Sequence, residues 1–92
     1  MSDKKAPQLD FNAFVLSLGT SVLVHLGEMP DPQTGEKGRG ELALAQQSID
    51  LLAMLQEKTR GNLSADEARF LQTMLYEVRV KYVEASQRPK AG

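Results

Sequence analysis

The sequence predicts an all-α protein, a three-helix bundle completed by self-association. Three observations predict it. Apolar residues recur at helical spacing in three separate stretches. Gly61-Asn62-Leu63-Ser64 combines a helix stop with a helix start. Strand-like alternation of useful length is missing throughout the 92 residues, as are internal repeats and low-complexity runs.

The first helix is expected over about residues 10–27. Asp10 suits the N-cap, because its carboxylate can accept otherwise unpaired backbone N–H groups. Leu9 and Phe14 have the N′/N4 spacing of a hydrophobic staple. Phe14, His25, Leu18, Phe11, Val22, Val15 and Leu26 form one apolar arc, with Leu16, Leu23, Ala13 and Val24 outside it. No formal charge falls between Asp10 and Glu28. A helix apolar nearly all round must be covered on most sides.

Met29–Gly40 holds Pro30, Pro32, Gly35, Gly38 and Gly40, residues that favour turns over helix. An exposed loop of this length is long for a bundle connection, and is expected to cross over or to move. The second helix is expected over about residues 41–60. Leu51, Leu44, Leu55, Ser48, Leu52, Ala45, Ile49, Leu42 and Ala53 cover more than half of its circumference, and Met54 falls on the polar remainder. Lys58 and Arg60 lie in its last turn, where cations suit the helix dipole.

Gly61 fits the C′ position, where left-handed geometry carries no Cβ clash. Ser64-Ala65-Asp66-Glu67 matches the capping box. Gly61, Asn62, Ser64 and Glu67 are therefore the expected structural turn, and the two helices it joins are expected to form an antiparallel hairpin. The third helix is expected over about residues 65–85. Ala68, Leu71, Leu75, Val78 and Tyr82 form its main stripe, with Met74 beside them. Tyr76, Val80 and Val83 form a second apolar patch. Residues 1–8 and 86–92 read as disordered tails around a single domain at 9–85.

Composition limits the function. Apolar residues are 41% and charged residues 25%, an ordinary globular balance. Eleven basic against twelve acidic residues give a net charge of -1, unsuited to binding polyanions by bulk charge. The absence of cysteine removes disulfides, thiolate nucleophiles and thiolate metal sites. The polar N-terminal residues lack the apolar run of an export signal, so the cytoplasm is the expected compartment.

The specific motifs of catalysis are missing as well. His25 is the one histidine, and a buried neutral imidazole bonded to Ser21 or to a neighbouring chain is its expected state. A His25–Glu28 metal pair doubled across a dimer has no matching carboxylates on the other helices. No nucleophile elbow or phosphate loop occurs, so no enzyme activity and no cofactor are expected. Asp66 and Glu67 open the third helix where a recognition helix would meet phosphates, which argues against nucleic acid. Phe11–Gly27 is at the short limit for a membrane span and carries Asn12, Ser17, Thr20, Ser21 and His25, so no stable membrane insertion is expected.

What remains is apolar surface. Burying one Leu or Val is worth about 1.5–3 kcal/mol, so a handful left in water would forgo an energy comparable with a whole domain's stability of about 5–15 kcal/mol. A homodimer is the first expectation. The candidate interface comprises Ala13, Leu16, Ser17, Ser21, Leu23, Val24, Tyr76, Val80 and Val83. Within it Ala13, Ser17 and Ser21 repeat at four-residue spacing; they are either simply small bundle residues or a seam that lets another backbone approach. Two alternatives stand beside it. One is a subunit docking on a different protein through Met29–Gly40 or the Tyr76/Val80/Val83 patch. The other is a peripheral membrane or small-ligand protein using the first helix.

Several strings carry a resemblance. They are Asp10-Phe11 opening an apolar helix that ends at Leu26-Gly27, then Pro30-Asp31-Pro32-Gln33-Thr34-Gly35. They continue with Ala45 to Leu52, Glu57 to Ser64 (Glu-Lys-Thr-x-Gly-Asn-Leu-Ser), and Leu75 to Arg79. Over about Leu9 to Val83 the chain resembles a small bacterial all-helical family of unknown function. The resemblance implies a short helical bacterial protein and transfers no functional residue.

Overall fold

A computed structural model describes residues 10–36 and 40–88. Three helices pack in chain order, α1 (Phe11–His25), α2 (Leu42–Lys58) and α3 (Ala65–Ser86), each against the other two. Residues 1–9, 37–39 and 89–92 lie outside the described residues. With them lie the Leu9 half of the expected staple, the N-terminal tail, the tip of the loop and most of the C-terminal tail.

Paired contacts set the topology. Gly19 of α1 faces Met74 of α3, and Glu28 just beyond α1 pairs with Arg88 just beyond α3. Later residues of one helix thus meet later residues of the other, so α1 and α3 run the same way. The Glu41 N–H donates to the His25 carbonyl at 2.7 Å, while Phe14 and Leu18 share a groove with Leu51 to Lys58. So α2 runs back between them.

The helix ends follow local chemistry. The Asp10 carboxylate accepts the Ala13 N–H at 2.8 Å. Beyond His25, Leu26 caps α1 and Gly27 turns left-handed at φ 79°. Gly27 N–H donates to Val24 O and Glu28 N–H to Leu23 O, the paired bonds of a Schellman stop. That stop ends α1 two residues short of the expected boundary. α2 also stops early, at Lys58 with Thr59 as cap. Glu41 caps its start with no side-chain hydrogen bond.

The core is made by one stripe from each helix. Val15, Val22 and Leu26 meet Ala45, Ile49 and Leu52 and then Leu71, Leu75 and Val78. Ala68, expected in the α3 stripe, is exposed; it lies in the first turn beside the open hollow at the α2–α3 turn. Phe14, expected on the inner arc of α1, is 39% exposed at its edge. Gly19 is buried instead. A Cβ at Gly19 would stand 2.3 Å from the Met74 sulfur, so the missing side chain leaves the room that the Met74 thioether occupies.

Candidate functional site

The chemistry-bearing groups gather on the outward face of α1. Ser17, Thr20, Ser21, Val24 and His25 form one wall of a shallow hollow, and Asp31, Pro32 and Gln33 form the other. The loop reaches there because it is internally bonded. An Asp31 carboxylate oxygen accepts the Gln33 N–H at 2.7 Å. The Asp31 carbonyl accepts the Gly35 N–H at 2.7 Å, and the Asp31 N–H donates to Glu36 O at 2.8 Å. The described part of Met29–Gly40 is thus a compact turn folded back on α1.

Among the described residues no hydrogen bond joins two side chains of this hollow. The Ser17 hydroxyl donates to the Phe14 carbonyl at 3.0 Å. His25 is half-buried, and among the described residues no hydrogen bond joins its ring to Ser21. Of the two partners expected for His25, Ser21 is therefore not bonded to it. Among the described residues no three His, Asp or Glu side chains converge as metal ligands would.

The more pronounced feature is apolar. Phe14, Leu16, Leu44, Leu51, Met54, Tyr76, Val80 and Val83 are all exposed large hydrophobic side chains. They fall into groups. Phe14, Leu51 and Met54 share a groove between α1 and α2 with Leu18, Leu55 and Lys58. Tyr76, Val80 and Val83 lie on α3, at 68%, 36% and 50% exposure.

The expected interface residues divide on α1. Ala13, Leu16 and Ser17 are exposed, whereas Ser21, Leu23 and Val24 are half-buried. Ser21 and Val24 face the chain's own loop across the hollow, and Leu23 lines a groove with Phe70 and Met74 of α3. The small-residue stripe Ala13–Ser17–Ser21 is therefore not one open seam. Conversely, Phe14, Leu44, Leu51 and Met54 escape the sequence reading. Leu44 and Leu51 stood at the edge of an arc wider than one neighbour needs, which was the available signal.

The turn residues are placed as follows. Ser64 Oγ accepts the Glu67 N–H at 3.1 Å, and the Glu67 carboxylate accepts the Ser64 N–H at 2.9 Å, which is a complete capping box. Gly61 has φ 86°. Because α2 ends at Lys58, Gly61 lies two residues past the Thr59 cap and not at C′. It turns the chain so that the exposed Asn62 donates its N–H to Thr59 O at 2.8 Å.

These features define a small all-helical domain with a tight hairpin turn and a partly uncovered apolar surface. The chain matches a domain of unknown function, DUF1844, over residues 8–84, and it belongs to that family. No curated protein and no solved structure matches it. Among the described residues no helix is long and apolar enough to cross a membrane.

Proposed function

We propose that this chain is a non-catalytic helical module of the bacterial cytoplasm that acts through protein–protein contact, first of all with a second copy of itself. The observation that carries the reading is the set of eight large hydrophobic side chains at 36% exposure or more among the described residues. Leu16, Tyr76, Val80 and Val83 are members of that set, and the exposed Ala13 and Ser17 adjoin it on α1. Single exposed hydrophobics are ordinary; grouped ones favour an interface. Light scattering coupled to gel filtration tests it: a concentration-dependent dimer is expected, and a strict monomer refutes it.

A second reading is docking on a different protein through Tyr76, Val80 and Val83. It draws support from their setting on one helix, with the charged Arg79, Lys81 and Glu84 interleaved, an apolar centre with a polar rim. Under that reading a stoichiometric partner is captured by the native chain and lost on Val80→Asp.

A further inference from the structure

The least interrupted apolar surface is the seam between α1 and α2. Phe14, Leu18, Leu51, Met54 and Leu55 line it, and Lys58 is the one charged side chain among its lining residues. Leu44 precedes Leu51 by one heptad, so the two share a stripe of α2. Phe14, Leu44, Leu51 and Met54 are exposed by 39%, 40%, 45% and 51%. On the other side of the seam α1 brings no formal charge anywhere in Phe11–His25.

We propose that this seam docks against the same seam of a second copy, with the two α2 helices antiparallel about a twofold axis. The inference rests on the self-association reading and assigns its surface. Two arguments select a second copy as the occupant.

The first is charge. α2 starts at the exposed, acidic Glu41 and ends at the exposed, basic Lys58. Glu57 at that end is paired with Arg60 at 2.6 Å, so Glu57, Lys58 and Arg60 together carry a net positive charge. An antiparallel twofold brings Lys58 towards the partner subunit's Glu41, twice, and opposes the helix dipoles. Between those ends α1 brings no formal charge, and the exposed Asp50 of α2 accepts a hydrogen bond from the Gln46 side chain at 2.8 Å.

The second is area. Four side chains exposed by two-fifths to one-half present on the order of 300–350 Å² of apolar surface per copy. A standard interface buries about 800 Å² per partner, of which a little over half is apolar. The seam with its half-buried Leu18 and Leu55 therefore supplies most of the apolar core of one small interface. The α3 patch has three large exposed side chains against the seam's four.

The test is sedimentation velocity on the intact chain from low to high micromolar concentration, with far-ultraviolet circular dichroism verifying that each variant stays helical. Native protein is expected to pass from monomer to dimer across that range. Leu51→Lys, at an exposed position, should weaken association roughly tenfold or more, while Val80→Asp leaves it unchanged. Lys58→Glu alone should weaken the dimer, and Lys58→Glu combined with Glu41→Lys should restore it. A dimer indifferent to Leu51→Lys but lost on Val80→Asp overturns the seam assignment and leaves self-association standing. Failure of the paired charge reversal to restore the dimer overturns the antiparallel arrangement. A strict monomer at every concentration overturns both readings and leaves the seam to a different protein.

Discussion

Gly19 provides the sharpest test of how the bundle closes. It is buried in the middle of α1, where replacing Gly by Ala ordinarily stabilises a helix by about 0.8–1 kcal/mol. Here the added methyl would meet the Met74 sulfur at 2.3 Å, its Cγ at 3.0 Å and its Cε at 3.3 Å. Overpacking of this kind costs about 1–3 kcal/mol. Met74 is flexible, half-buried and beside an open groove with Leu23 and Phe70, so the thioether can swing aside and the low end of that range applies. Gly19→Ala should therefore leave the native background unchanged or destabilise it by up to about 1 kcal/mol. In a Met74→Ala background the obstacle is gone, and the same substitution should stabilise by about 0.8–1 kcal/mol. The coupling between the two positions is then on the order of 1–2 kcal/mol, typical of residues in contact. Urea unfolding followed by circular dichroism measures all four proteins, at one fixed chain concentration because any self-association adds to apparent stability. Equal stabilisation by Gly19→Ala in both backgrounds would refute the claim that α3 seats Met74 on the bare backbone of α1.

Three further outcomes follow from local geometry. Gly61→Val should destabilise by about 1 kcal/mol or more through backbone strain, since a Cβ there meets nothing within 4 Å and φ is +86°; an unchanged melting temperature would contradict the left-handed turn. Ser64→Ala removes the acceptor for the Glu67 N–H and should cost about 1 kcal/mol, or about 4–8 °C in a domain of this size, read by thermal unfolding. Arg88→Ala breaks the link to Glu28, but Arg88 is 50% exposed, so the loss should stay below about 1 kcal/mol; a larger drop in urea midpoint would mean that the pair holds α3 to the loop.

How much of this was legible beforehand differs between the helices and their surfaces. Asp10, Ser64 and Glu67 act through bonds to backbone groups three residues away, so their effect is local and the sequence displays it. Val15, Val22, Leu52, Leu71 and Leu75 repeat at helical spacing, so the inner stripes were equally visible. The boundaries were less so. Gly27 and Thr59 end their helices through hydrogen bonds made after the last periodic residue, and apolar periodicity alone does not mark them.

The candidate site was the least legible part. Ser21 and Val24 read as open seam until Asp31, Pro32 and Gln33 fold across them, because a helical wheel contains no information about a returning loop. Phe14 read as core and emerges at an edge, while Gly19 read as nothing and becomes the place where the Met74 side chain of α3 lies on α1.

By itself, the order of residues determined where three helices form, how they start, and that more apolar surface exists than three single stripes require. Those are consequences of contacts within a turn or two of the chain. Only tertiary packing decided which of that surface stays in water, because exposure depends on where a neighbouring helix lies across each flank. The Phe14–Met54 seam is left open for that reason, whereas Val15 and Leu52 are covered in the core.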